Sequence, residues 1–167
     1  MTKEYDMHPK KTITILVAVS LLLFVYYSMN VSPVISDENY TYISGLTWYN
    51  TFEEGQKVAL EQDKPMLVYF WAIWCKFCEK MHTEVYPDPE INKLLREDFV
   101  LVAVDMDVNK KDTQAFGIQY PPAEIFVTPE GDIIDKIGGY MRKEYFLIAL
   151  EQVKTYHENK GVQNEHW

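Results

Sequence analysis

The chain has 167 residues, of which 47% are hydrophobic, and a formal net charge of -9 at pH 7. Its length fits one compact domain with an appendage, and its composition excludes a disordered or collagen-like chain. Two cysteines are too few for the disulfide framework of a small secreted scaffold. The excess of acidic residues argues against nucleic acid as a partner, because phosphate binding requires clustered cations.

The first predicted element is an uncharged segment near the N-terminus. No Asp, Glu, Lys or Arg occurs from Thr12 to Ser36, and most residues from 13 to 29 are apolar. This run approaches the ~20 apolar residues that span a bilayer. A buried core helix is disfavoured because no polar face is visible. We interpret residues 12–29 as a transmembrane anchor, with a signal peptide cleaved before Asp37 as the alternative.

The basic residues around this segment predict its orientation. Lys3, Lys10 and Lys11 precede it, whereas the next cation along the chain is Lys57. Because positive residues favour the cytoplasmic side, residues 1–11 are expected in the cytoplasm and the residues after the segment outside it. The sequence thus predicts a single-pass membrane protein, or a secreted or periplasmic one if the segment is cleaved.

The rest of the chain alternates helix-like and strand-like patterns after a polar stretch. Residues 30–45 are predicted to be a linker and residues 159–167 a flexible tail. Helices are expected at 52–62, at 75–86, from Pro89 onward with Asp88 as N-cap, around 113–116, and at 142–157. Strands are expected at 66–71, 99–104, 124–128 and 133–137. This order predicts an α/β domain whose mixed central sheet is flanked by helices, with the last two strands forming a hairpin.

Cys75 and Cys78 form the motif with the clearest chemistry. They follow a predicted buried strand and lie at the start of a predicted helix. The N-terminus of a helix stabilises a thiolate, so Cys75 is the candidate nucleophile. Cys78 lies within one turn on the same face and is the candidate resolving thiol, which would release a substrate from a mixed disulfide.

Other uses of the two cysteines fit the sequence less well. A structural zinc site needs four ligands, and the sequence has no second Cys-x-x-Cys motif, although His82 could share a face with Cys75 and Cys78. A c-type haem is excluded because Glu79, rather than His, follows Cys78. A purely structural disulfide would close too short a loop to stabilise the fold much. We therefore expect neither a metal nor a cofactor.

A second motif, YPPAEIFV, occupies residues 120–127. A proline directly before a strand is unusual enough to suggest a specific role, and the alternative is a simple strand-entry proline. Residue chemistry alone does not choose between Pro121 and Pro122, nor does it establish that either follows a cis bond.

Three segments resemble the thioredoxin superfamily, in particular its exported or membrane-tethered thiol-disulfide proteins. They are FWAIWCKFC at 70–78, YPPAEIFV, and the PEGD turn at 129–132 with the later Gly138-Gly139. The resemblance implies a thioredoxin-like fold over residues 46–158. It also implies a redox-active Cys75–Cys78 disulfide, with Cys75 as nucleophile and Cys78 as resolving thiol. Trp74 would flank the active site, and Pro122 would be the cis-proline of the substrate groove.

The sequence departs from thioredoxin itself at the positions beneath the active site. Tyr69 and Ala103 stand where thioredoxin has a buried aspartate and its partner lysine. The usual proton acceptor for the resolving cysteine is therefore missing. Glu79 and Glu124 are candidates to replace it, but both are expected to be solvated surface acids.

The expected function is that of a membrane-anchored, extracytoplasmic thiol-disulfide oxidoreductase. It would reduce protein disulfides, or relay electrons to them, and would need a membrane electron donor for its own reduction. Two alternatives use the same surface. One is a thioredoxin-fold chaperone or assembly factor that holds a client near Pro122, and the other is metal delivery through Cys75, Cys78 and His82.

Overall fold

The computed structural model describes residues 9–30 and 35–164, which fall into two units, Met1–Pro33 and Val34–Trp167. The helices are α1 (Pro9–Asn30), α2 (Phe52–Gln62), α3 (Lys76–Lys80), α4 (Pro89–Asp98), α5 (Lys110–Ala115) and α6 (Lys143–Asn164). The strands are β1 (Ile35–Ser36), β2 (Tyr40–Ile43), β3 (Leu46–Tyr49), β4 (Met66–Trp71), β5 (Val100–Asp105), β6 (Ala123–Val127) and β7 (Ile133–Gly138).

In the first unit, α1 covers the segment that predicts a membrane anchor. It begins with Pro9 at its first position, where a proline is well tolerated, and contains no glycine. Within the described residues, however, no helix combines the length and the apolar character that crossing a membrane requires. The transmembrane helix expected at residues 12–29 is therefore not found in the structure.

The second unit contains a seven-stranded sheet in the order β1-β2-β3-β5-β4-β6-β7. Strand β4, an interior strand of this sheet, pairs parallel with β5 and antiparallel with β6, and β6 forms the expected hairpin with β7. All six residues of β4 are buried, as a strand covered on both faces requires. The predicted α/β architecture with a mixed central sheet is confirmed.

The prediction of a linker at residues 30–45 is wrong for residues 35–45, which contain two strands. A further strand, β3, is not predicted by the sequence pattern. The two strands within residues 35–45 are β1 and β2, and β2 pairs antiparallel with β3 from Tyr40–Tyr49 to Ile43–Leu46. The alternation of apolar and polar residues that indicates a strand is obscured in β2, because the polar residue Thr41 occupies one of its buried positions. Residues 31–34 of the predicted linker lie outside the described residues.

Three helices differ from their predicted extents. Helix α5, expected around 113–116, spans Lys110–Ala115. The helix expected at 75–86 consists of α3 followed by a π-helical turn, Met81–Val85. Helix α6 continues to Asn164, so the tail predicted at 159–167 is wrong up to that residue, and its last three residues lie outside the described ones. No proline interrupts α6, and its one late glycine, Gly161, lowers helix stability by only about 1 kcal/mol.

The core consists of two clusters, one on each face of the sheet. On one face, Tyr69 and Trp71 of β4 pack with residues of α3, the π-helical turn, α4 and α6, and this cluster includes Cys75 and Cys78. We call it the redox-side cluster. On the other face, the alternate residues of β4 pack with Ala59 of α2 and with β5 and β6. The cysteines thus lie beyond the C-terminal end of β4, next to one half of the core.

Candidate active site

Cys75 and Cys78 form a disulfide at the start of α3, with their Cα atoms 5.2 Å apart. Cys75 is the N-cap residue, and the backbone N–H of Cys78 donates a hydrogen bond to its Sγ atom at 3.1 Å. Cys75 is 7% exposed, whereas Cys78 is 1% exposed. Cys75 is therefore the more accessible residue of the two, and its Sγ atom already receives a helix N–H group that would stabilise its thiolate.

Trp74 lies next to the disulfide with its side chain 62% exposed. Its Nε1 atom donates a hydrogen bond to Oδ2 of Asp107 at 2.7 Å. Asp107 lies in the loop after β5, so this bond connects the loop to the segment that carries Cys75. Asp107 is not among the residues predicted for the site, because no local sequence pattern indicates which side chain a distant tryptophan will meet.

The peptide bond between Pro121 and Pro122 is cis, in agreement with what the resemblance implied. Pro122 is buried and directly precedes Ala123, which pairs with Phe70 of β4. Its carbonyl accepts a hydrogen bond from the N–H of Gly139 at 2.8 Å. Pro122 is thus held between the end of β4, the strand that leads to the cysteines, and the segment after β7.

Large apolar side chains around these two segments are exposed. Ile73, Phe77 and Tyr120 are each more than half exposed, in addition to Trp74. Phe77 stacks on Tyr140, with the ring centroids 6.4 Å apart. Exposed apolar groups near a reactive centre are typical of a surface that binds another molecule.

Glu124 is completely buried, so its expected role as a surface acid is wrong, whereas Glu79 is exposed as expected. Glu124 lies on β6 opposite Tyr69. The hydroxyl of Tyr86 donates a hydrogen bond to its Oε1 atom at 3.2 Å, and its Oε2 atom has no hydrogen-bond partner. Burial raises the pKa of the Glu124 carboxyl to about 8, because a charged carboxylate is costly in an apolar interior.

His82, in the π-helical turn, is also buried. Its Nε2 atom and the hydroxyl of Tyr69 are 3.0 Å apart and share a hydrogen bond. Burial lowers the pKa of His82 to about 4, so its ring is neutral at pH 7. Among the described residues, no group of three or more His, Cys, Asp or Glu side chains is arranged to hold a metal ion.

Comparisons with known proteins agree with this geometry. A family model for a thioredoxin-like domain matches residues 52–154. The chain is 33% identical over 89 residues to the chloroplastic thioredoxin-like protein HCF164 of Oryza sativa subsp. japonica, covering 53% of this chain and 34% of that protein. It is 29% identical over 105 residues to the thiol:disulfide interchange protein DsbD of Ralstonia nicotianae, covering 60% of this chain and 17% of DsbD.

A solved structure supports the same assignment. The solution structure of a thioredoxin from Thermus thermophilus superposes with a TM-score of 0.61 and 25% identity, covering 72% of this chain and 95% of that one. The chain spans well under half of the two curated relatives named above. Because the family model matches more than half of the sequence, the chain belongs to the thioredoxin-like domain family.

Proposed function

We propose that this protein is a thiol-disulfide oxidoreductase that acts on protein substrates through Cys75 and Cys78. The observation that carries the proposal is the Cys75–Cys78 disulfide at the start of α3, and the cis bond at Pro122, before the strand that pairs with β4, supports it. A disulfide between two cysteines within one helical turn can accept two electrons as its S–S bond opens, and the resulting pair of thiols can donate two electrons as the bond closes again.

The two cysteines have different roles in the proposed reaction. In the reducing direction, the thiolate of Cys75 attacks one sulfur of a substrate disulfide, and the other substrate sulfur leaves as a thiolate. Cys78 then attacks the Sγ atom of Cys75, which releases the second substrate thiolate and restores the protein disulfide. The greater exposure of Cys75 and the Cys78 N–H group directed at its sulfur support this order.

The surroundings of the disulfide support a protein substrate. Trp74 and Tyr120 are exposed on the segments that carry Cys75 and Pro122, respectively. An extended, partly apolar polypeptide could cover these side chains and remove them from water. We infer that Trp74 and Pro122 border the groove in which such a segment lies.

We further propose that the protein works as a reductase or electron relay outside the cytoplasm, anchored by its N-terminal segment. The lysines before residue 12 and the uncharged run after them support this location. The similarity to a relative named as a thiol:disulfide interchange protein supports the reaction class. In an oxidising compartment the disulfide would have to be reduced again by an electron donor in the membrane.

Reduction of insulin disulfides tests the proposed activity. We expect the full-length protein, pre-reduced with dithiothreitol, to accelerate insulin precipitation. The Cys75→Ser variant should be inactive because it lacks the attacking sulfur. The Cys78→Ser variant should accumulate a mixed disulfide because nothing resolves it. The proposal fails if the wild-type protein is no faster than the variant in which both cysteines are serine.

Membrane extraction tests the proposed anchor. We expect the full-length protein to stay in the membrane fraction after washing with alkaline carbonate, and a variant lacking residues 12–29 to be released. Protease added to intact spheroplasts should degrade the domain after the segment, since it is expected outside the cytoplasm. Release of the full-length protein by carbonate would refute the anchor without affecting the proposed chemistry.

A further inference from the structure

Glu124 is a buried acid that the exchange steps above leave without a role. It alternates along β6 with Phe126, so the two side chains lie on the same face of the sheet. Phe126 belongs to the redox-side cluster, which also contains Cys78 and Tyr86. Glu124 accepts its one side-chain hydrogen bond from Tyr86. The carboxyl group is therefore enclosed in the half of the core that lies below the disulfide.

The surroundings of Glu124 do not compensate a permanent negative charge. None of the ion pairs in the described part of the chain includes Glu124, and Oε2 lacks a hydrogen-bond partner. An uncompensated buried charge lowers the free energy of unfolding by about 3–5 kcal/mol. A residue that only filled this space would be better apolar, so the carboxyl group calls for a chemical explanation.

The resolving step requires a proton acceptor, and the carboxylate of a buried acid can serve as one. Cys78 must lose its proton before it attacks Cys75, and at 1% exposure it has little access to solvent. The titratable groups that pack around Glu124 and the cysteines in the redox-side cluster are Tyr69 of β4, and His82 and Tyr86 of the segment after α3. A base within this half of the core is therefore needed.

The neighbouring groups are poor proton acceptors. Burial raises the pKa of the hydroxyls of Tyr69 and Tyr86 well above the ordinary value of 10, so both keep their protons. His82 shares its Nε2 atom with Tyr69, and its pKa of about 4 makes it too weak a base for a thiol. Glu124 has an oxygen without a partner, and a carboxylate there would match a thiol in proton affinity.

We propose that Glu124 is the proton acceptor for the Cys78 thiol when the mixed disulfide is resolved, an inference that rests on the proposed function. The proton passes from Sγ of Cys78 to the carboxylate of Glu124. The sulfur of Cys78 then bonds to that of Cys75, and the bond between Cys75 and the substrate sulfur breaks. The substrate leaves as a thiolate and takes a proton from water. When the disulfide is reduced again, Glu124 returns its proton to Cys78.

In this assignment the acidic group is on β6 rather than on β4. The β4 position beneath the active site is occupied by Tyr69, which is not an acid, and Glu124 lies opposite Tyr69 on β6. The carboxyl group therefore enters the same half of the core from the neighbouring strand. The hydroxyl of Tyr86, which bonds to Oε1, keeps it oriented there.

The test separates the two sulfur steps with an aromatic disulfide whose released thiolate is coloured. Reduced full-length protein should release one thiolate when Cys75 attacks and a second when Cys78 resolves the adduct. We expect Glu124→Gln to keep the first phase and to slow the second about 100-fold at pH 7, the scale of general-base catalysis. The wild-type second phase should rise with pH and level off above about pH 8, whereas the variant should not show this inflection.

Glu79→Gln is the matched control, because Glu79 directly follows Cys78 but is exposed. We expect both of its phases to equal those of the wild type. A second phase in Glu124→Gln with the wild-type rate and pH profile would overturn the inference, as would an equal slowing in Glu79→Gln. Absence of the first phase in the wild type would instead refute the proposed function.

A measurement on the unsubstituted protein covers the case in which Glu124→Gln does not fold. Carbon-13 NMR of the Glu124 carboxyl should give different pKa values in the disulfide and dithiol forms, because the carboxyl and the Cys78 thiol then compete for a proton. The same pKa in both forms would overturn the inference.

Discussion

At the scale of single residues, burial keeps two ionisable side chains neutral beside the disulfide. Glu124 and His82 lie in the same half of the core, and each has its pKa displaced toward its uncharged form. Both make one hydrogen bond to a tyrosine hydroxyl rather than to an oppositely charged group. The stability of the protein should therefore depend on pH in a way that these two residues determine.

The two residues act in opposite directions. The pKa of Glu124 is about 8 in the folded protein and ordinarily 4.5, so the folded protein holds a proton that the unfolded chain has lost between these values. Its contribution is complete below about pH 4.5 and is lost as the pH rises through 8. The pKa of His82 is about 4 in the folded protein and ordinarily 6.5, so its contribution grows from pH 4 to 6.5.

We expect the free energy of unfolding of the oxidised protein to fall between about pH 6.5 and 8, where only Glu124 of this pair still titrates. Glu124→Gln should abolish this fall, because glutamine does not ionise. Urea denaturation at a series of pH values, followed by circular dichroism, measures it. An unchanged slope in the variant would show that Glu124 is not the group responsible.

The sequence predicts some of these residues and not others. The helix-start position of Cys75 and the spacing to Cys78 are local features, so a redox pair can be predicted from the amino-acid order alone. The burial of Glu124 is not local, since it depends on Tyr86 reaching a strand 38 residues later in the chain. A single acid in an otherwise apolar strand is the one available signal, and taken alone it favours a surface position.

At the scale of elements, α2 packs directly on β5 through a glycine. A Cβ atom at Gly55 would overlap the side chain of Val102, so glycine allows the helix to approach the sheet closely. The pattern of apolar residues predicts α2 and its bounds correctly. It does not reveal that Gly55, in mid-helix, is required for packing, because the partner strand lies far along the chain.

We expect Gly55→Ala to destabilise the protein by about 1–3 kcal/mol, despite the better helix propensity of alanine, because overpacking forces the neighbours apart. Urea denaturation measures the change. Gly138→Ala is the matched control, since a Cβ atom there meets nothing within 4 Å, and it should be close to neutral. A Gly55→Ala variant as stable as the wild type would contradict the close packing of α2 on β5.

The first three strands are not predicted by the pattern of apolar residues, whereas β4 and β5 are. Strands β4 and β5 are continuous apolar runs and are predicted correctly, because both of their faces are covered. Strands β1 to β3 are short and lie at one side of the sheet, and their residues are mixed polar and aromatic. Their conformation depends on pairing with each other and, through Tyr49, with Val102 of β5. Such pairing leaves only a weak signal in the sequence.

At the scale of the whole molecule, the sheet separates two different environments. One face carries the cluster around Ala59, whereas the other face carries the disulfide, the buried acid and the buried histidine. The cysteines follow the C-terminal end of β4, and Pro122 precedes the strand that pairs with that end, so distant parts of the chain supply the candidate site. The central claim is therefore that the Cys75–Cys78 disulfide is a working redox couple and not a structural cross-link.

The reduction potential of the Cys75–Cys78 couple tests this claim most directly. It can be measured on the full-length protein by equilibration with glutathione or dithiothreitol buffers and by counting free thiols. We predict reversible two-electron reduction with a potential between about -270 and -120 mV, near the negative end of that range for a reductase. A potential below about -300 mV, which is typical of structural disulfides, would contradict the claim.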